Sequence, residues 1–204
     1  GQVGIYAPQR AMKVHTVCDL GVGKNLRVGF FQRDPISKRV YMIDHLIGQG
    51  SEGMADVIPK VLNKPYSYGR HFGPHDLETT DIGSGETRIK TAAKLGLKFT
   101  LVEDWSIEDG INALSMSLDH WYIDKERCKE FLRSLKSYEH EWDEKRGMYK
   151  DDPLHNWASH DADVGRYAAI SESRMLNDTV IHRPFHDKTD EWWEQDNKAI
   201  ERYG

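Results

Sequence analysis

Alternating apolar and polar side chains predict β-strands over residues 13–20, 26–33 and 39–47, each rich in β-branched or aromatic residues. Gly21 and Gly23 close the first strand, and Asp34-Pro35 with Ser37 turns the second into the third. Connections this short make the three an antiparallel meander. Helical spacing follows over 51–62, where Pro59 is expected to shorten or kink the helix. A short fourth strand over 68–74 ends at His75-Asp76; a helix over 87–95 is closed by Gly96, and a fifth strand covers 98–102. Ser106 followed by Glu108 and Asp109 opens a helix to about residue 118. A further helix over 125–138 carries Phe131, Leu132 and Leu135 on one face, and 139–153 reads as charged connection. Ser159 is read as the N-cap of a last core helix, with Tyr167 and Ala168 at core spacing.

Three antiparallel strands followed by helix, strand, helix, strand and helices predict a mixed α/β sandwich, because parallel additions need helical crossovers. Residues 1–11 read as a lead-in, 12–172 as one domain and 173–204 as a tail, since the pattern weakens from Arg174 and breaks at Arg183-Pro184. The paired Trp192-Trp193 of the tail is either a partner anchor or folded back on the core. No apolar run approaches membrane-spanning length and no basic-then-apolar leader opens the chain, so a soluble intracellular protein is expected. Cys18 and Cys128 have no motif spacing and are expected as reduced core residues.

Net charge is -5, which does not mark a nucleic-acid binder. Its distribution changes that picture. Residues 8–40 carry seven cations, Lys24 and Arg27 among them, against Asp19 and Asp34 alone. Such a surface suits a phosphate backbone, although solvated lysines on a hairpin explain it equally well.

The densest chemistry lies at Ser159-His160-Asp161-Ala162-Asp163. His160 and Asp163 are three apart and fall on one helix face. Asp19 ends the first strand and Asp76 follows the fourth; if those strands are neighbours, Asp19, Asp76 and Asp163 converge. Converging carboxylates repel unless a cation lies between them, and hard oxygen ligands suit magnesium or manganese. Two such ions roughly 4 Å apart activate water and stabilise the departing oxygen of a phosphodiester. His160 would orient a metal-bound water or ligate the metal itself. Taken alone, each Asp also reads as a turn or cap residue, and Asp44-His45 resembles the Asp76 position. Ser84 and Arg88, in the glycine-rich stretch 83–88, and Lys24 and Arg27 are candidate DNA-backbone contacts.

Taken in order, Cys18-Asp19-Leu20-Gly21, Gly73-Pro74-His75-Asp76, Gly83-Ser84-Gly85-Glu86-Thr87-Arg88, Ser106-Ile107-Glu108-Asp109-Gly110-Ile111-Asn112-Ala113, Tyr138-Glu139-His140-Glu141-Trp142-Asp143 and Ser159-His160-Asp161-Ala162-Asp163 with Arg166-Tyr167 resemble the C-terminal nuclease domain of tailed-phage large terminases. The resemblance runs from about residue 12 to 170. It implies a ribonuclease H-like fold and endonucleolytic cutting of concatemeric viral DNA. It also implies a two-ion site, with Mg²⁺ or Mn²⁺ held by Asp19, Asp76 and Asp163. The implied partners are double-stranded DNA, an ATPase domain of the same protein, the portal and the small terminase subunit. The implied location is the infected host's cytoplasm, at the procapsid. Nothing matches GxxxxGK[ST], so ATP binding is not expected within these residues. The sequence departs from the family in having Lys24-Asn25 where many relatives carry an acid, Cys18 for a tryptophan, and Val164-Gly165 for Ala-Phe. Two other readings compete with this one: another ribonuclease H-like nuclease such as a junction resolvase, and a docking module whose nuclease has decayed.

Overall fold

The computed structural model describes residues 1–81, 85–144 and 146–177. The expected meander is present as β2 (Val14–Asp19), β3 (Arg27–Arg33) and β4 (Val40–Ile47), paired antiparallel. Alternation inside β2 sends Val17 to one face of the sheet and Cys18 to the other. Further strands are added in parallel on both sides. β5 (Tyr68–Gly73) pairs with β2, and β6 (Phe99–Leu101) pairs with β5. On the other side β7 (Trp121–Asp124) pairs with β4, and β1 (Gln2–Gly4) pairs with β7. The sheet therefore has seven strands in the order β1-β7-β4-β3-β2-β5-β6.

Helices cover both faces. One core layer packs Val57, Ile58 and Val61 of α1 (Met54–Leu62) and Ala92 of α2 (Arg88–Lys94) against Val28, Phe30 and Ile43. The opposite layer packs α3 (Ile107–Ser117), α4 (Lys129–Ser137) and α5 (Ser159–Ser171) against Val17, Phe31, Met42 and Phe72. Such a three-layer arrangement buries a parallel-rich sheet on both sides, as its hydrophobic strands require. Among the described residues no helix is long and apolar enough to cross a membrane. Cys18 and Cys128 are buried free thiols, and burial is the main reason that both ionise far less readily than usual.

Two glycines let α5 sit close. A Cβ at Gly29 of β3 would come within 2.9 Å of Val164, and one at Gly165 within 3.0 Å of Leu114 on α3. The helix-weakening glycine of the last helix is thus explained by α3–α5 contact: its lost propensity, roughly 1 kcal/mol, is exchanged for close packing.

Several expectations need correction. Residues 2–4 are an edge strand rather than lead-in, because β7 offers them a parallel partner. The segment 139–153 is a two-stranded hairpin, β8 (His140–Asp143) and β9 (Met148–Pro153). The helix read over 125–138 starts at Lys129, and Trp121–Asp124 before it is a strand. Ser159 is the first residue of α5 rather than its cap; Ala158 holds the N-cap position without a side-chain bond. Nor does Pro59 shorten the helix as expected: it lies inside α1, which runs on to Leu62. Residues 173–177 continue the packed domain: Met175 is buried, and the Asn177 side chain bonds the backbone of Lys13 and Arg33. Trp192 and Trp193 lie outside the described residues.

Asp124 ties the N-terminal segment down. Its carboxylate accepts from the backbone N–H of Tyr6 at 2.8 Å, Glu126 at 3.0 Å and Arg127 at 2.9 Å. Burial raises its pKa, but these three donors outweigh burial and hold it below the ordinary 3.8. A depressed acid stabilises the fold above its unfolded pKa and loses that contribution as pH falls through the folded value. Asp124→Asn is expected to cost roughly 1.5–3 kcal/mol in urea unfolding at neutral pH. The gap from wild type should close below about pH 4, as the carboxylate protonates; a gap that persists in acid would refute the assignment.

Candidate metal centre

Asp19 is the last residue of β2, opposite Arg27 in the register with β3. The N-terminal end of α5 arrives on the same face, and its i,i+3 spacing points His160 and Asp163 at the strand end. His160 Nδ1 lies 2.8 Å from Asp19 Oδ2. Ligand atoms of Asp19, His160 and Asp163 all lie within 4.8 Å of one another. Their side chains are 14%, 17% and 20% exposed, so the cluster is set into the surface but open to solvent. Two carboxylates and an imidazole within this distance form a donor set that suits a divalent cation, manganese or magnesium by its hard oxygens and a transition ion by its nitrogen.

The electrostatics fit the same reading. The bond to Asp19 is the main cause of the raised His160 pKa, working against burial. An ionised Asp19 can only accept, so Nδ1–H is the donor. Asp163 is raised above the ordinary carboxylate value by burial, although the Arg166 guanidinium pairs with it and opposes the shift. Arg166 is the cation that accompanies Asp163, one helical turn away. Burial raises the Tyr167 hydroxyl, and the charges of Asp163, Asp19 and Asp76 add to it.

Asp76 does not join this cluster. It lies in a short 3-10 turn, His75–Glu78, that follows β5, and it is exposed. The expected adjacency of its strand to β2 holds, with Val17 opposite Phe72. The extra turn after Gly73 carries the carboxylate past the end of the sheet, so its charge reaches Tyr167 while its oxygens stay outside the group. Asp44 faces the other side of the sheet, where Lys64 Nζ donates to it at 2.6 Å and the Tyr66 hydroxyl at 2.8 Å. Lys24 is exposed in the 3-10 turn after β2, and Arg88 is the half-buried first residue of α2, behind the Thr87 cap. Ser84 lies outside the described residues.

Arg27 requires a correction. It is not a surface cation available to DNA: its side chain is 8% exposed and its Nε lies 3.1 Å from Asp161, itself 1% exposed. His45 Nε2 approaches the same carboxylate oxygen at 2.8 Å, and Ser134 Oγ donates to the other at 2.5 Å. Burial raises the Asp161 pKa, and these contacts more than reverse it, leaving the group below the usual range. Asp161 is therefore a buried structural carboxylate between two site residues. In sequence it resembles helix capping; the inward positions of Arg27 and His45 at strand ends were the only signal. One surface groove, about 920 Å³, is lined by Trp105, Asp109, Met116 and Glu172 and shares no residue with the cluster. A smaller one, about 180 Å³, includes Asp163, Arg166, His155 and Tyr138.

No protein-family model and no curated protein matches the sequence. Solved structures do match. The P22 large terminase nuclease domain aligns over 85% of this chain and 88% of its own, with TM-score 0.61 and 16% identity. The nuclease domain of the SPP1 large terminase, solved with bound Mn, aligns over 85% and 96%, with TM-score 0.57 and 17% identity. This chain has the fold of a large-terminase nuclease domain. That is a ribonuclease H-like fold, and the mixed sheet agrees with it. A large terminase from a thermophilic bacteriophage, solved in complex with ADP, matches 82% of this chain at TM-score 0.61 and 19% identity, but only 41% of its own length is covered. The chain thus spans about two fifths of that protein. In the terminase nuclease fold described here, the cluster lies where β2 ends beneath the first turns of α5.

Proposed function

We propose that this chain is the metal-dependent endonuclease domain of a viral packaging terminase, and that it cuts concatemeric double-stranded DNA. The observation that carries this reading is the Asp19–His160–Asp163 cluster, three ligating groups from distant parts of the chain within 4.8 Å. The fold relatives add support, since the SPP1 nuclease domain was solved with bound Mn.

Asp19, His160 and Asp163 hold a divalent cation, and Asp76 contributes to a second. Bound there, such cations supply the charge that stabilises the attacking and leaving oxygens in phosphodiester hydrolysis. The chain's own groups do the rest. Asp19 holds the His160 proton on Nδ1 and so fixes the ring. Arg166 pairs with Asp163 and offsets part of its repulsion from Asp19. Lys24, Ser84 and Arg88 are the proposed contacts to the DNA backbone, which makes binding sequence-tolerant and salt-sensitive. An ATPase domain of the same protein, the portal and the small terminase subunit are the proposed partners, at the procapsid in the host cytoplasm. The ADP-bound large terminase of the thermophilic phage, longer than this chain, supports the first of these.

Supercoiled plasmid incubated with Mn²⁺ is the direct test. Nicked and linear products should form, and EDTA should abolish them. Absence of cutting with Mn²⁺, Mg²⁺ and Co²⁺ alike would favour a decayed docking module over an enzyme.

A further inference from the structure

Asp161 lies in sequence between residues of the candidate centre, yet both of its oxygens are taken. Arg27 of β3 and His45 of β4 meet Oδ1 at 3.1 and 2.8 Å, and Ser134 of α4 bonds Oδ2 at 2.5 Å. At 1% exposure it has no face left for a metal. Three elements thus grip one side chain in the first turns of α5. The grip has a particular position. Arg27 is the cross-strand partner of Asp19, so one ion pair joins the strand end that carries Asp19 to the helical turn that carries His160 and Asp163.

The Arg27–Asp161 pair sets that turn together with the His160–Asp19 contact at the rim of the cluster and the Ser159 hydroxyl, which donates to the Asn156 carbonyl. The N-cap residue Ala158 makes no side-chain cap bond. Slipping the helix by a single residue would rotate it by about 100° and carry His160 and Asp163 off the strand end. A buried ion pair is weak at adding stability, because desolvation offsets attraction, but losing it in a wrong register strands a buried charge, which disfavours that register. Apolar packing of Val164 and Ala168 holds the helix on the sheet without that penalty.

We propose that Asp161, held by Arg27 and His45, is a positioning residue that sets the divalent-ion affinity of the Asp19–His160–Asp163 cluster. This rests on the reading of that cluster as a metal site. It assigns the Arg27–Asp161 pair a functional role distinct from ligation and from DNA contact. Outer groups that orient ligands typically change metal affinity about 10–100-fold when lost.

The test compares wild type with the double variant Arg27→Met/Asp161→Leu. Removing both charges leaves local net charge unchanged, so a change in metal affinity reports position rather than field. Mn²⁺ binding is measured by titration calorimetry, and thermal unfolding is measured without metal. The expected result is about 10–100-fold weaker Mn²⁺ binding with the melting temperature kept or raised. Equal affinity in wild type and double variant would overturn the positioning role and leave the nuclease reading standing. A wild type that binds no divalent cation would overturn both. Should the double variant not fold, His45→Phe decides instead. It keeps the ring packed on Phe131, 5.9 Å away between centroids, and removes one contact to Asp161. Weaker Mn²⁺ binding in that variant supports the role, and affinity within about twofold of wild type overturns it.

Discussion

Asp163→Asn is expected to lose metal-dependent plasmid cleavage by about a thousandfold while the metal-free protein stays folded. The size follows from the proposed role: losing a charged ligand from a divalent-cation site would remove several kcal/mol of transition-state stabilisation, and each ~1.36 kcal/mol is tenfold in rate. The stability expectation follows from the surroundings. Burial raises the Asp163 pKa, so at neutral pH its ionised form costs the folded state free energy that the unfolded chain does not bear. An amide removes that cost and the repulsion from Asp19, and its oxygen still accepts from Arg166. Arg166 loses a counter-charge, which works the other way, so the net expectation is a melting temperature held or slightly raised. Plasmid assay and calorimetry on the same preparation give both readouts. Full activity would remove Asp163 from the reaction; a collapse in melting temperature would make it a structural partner of Arg166.

The second large effect is on stability. Arg27→Met alone should cost about 3 kcal/mol in urea unfolding, because it strands Asp161 in a site that is 1% exposed. The low end of the usual range applies, since Ser134 still donates to the carboxylate and His45 Nε2 stays 2.8 Å from it. Adding Asp161→Leu should recover most of the loss, for the same reason that apolar replacements of buried ion pairs are often neutral or better. A single variant as stable as wild type would mean that the pair carries no coupling. A double variant no more stable than the single would show that Asp161 is needed for its contact with His45 and its bond from Ser134 rather than for its pairing with Arg27. Measured as a cycle, the four proteins give the coupling directly.

Much of the architecture was legible because its signals are local. The meander of β2 to β4 follows from alternation and turn residues, and Thr87, Ser106 and Gly96 mark helix ends by side-chain and backbone preferences that need no distant partner. The misses lack a local signal, for two reasons. Gln2–Gly4 and Trp121–Asp124 are four residues or fewer, too short for a period to show, and each is a strand only because the sheet supplies a neighbour. The hairpin over 140–153 is mostly polar, so it carries too little apolar alternation to mark its strands.

At the candidate centre the division is similar. Residue spacing and element ends already put His160 and Asp163 on one helix face, Asp19 at the end of one strand and Asp76 just after another. Which of these groups meet depends on how the strands and the helix pack together. That packing joined Asp19 to His160 and Asp163, left Asp76 one turn outside, and turned Arg27 inward to Asp161 instead of outward to solvent. The physical reason is that a charged residue at a strand end is equally compatible with water and with a buried counter-charge. The choice between them depends on which helix covers that strand, and the covering helix is set by packing across the whole sheet.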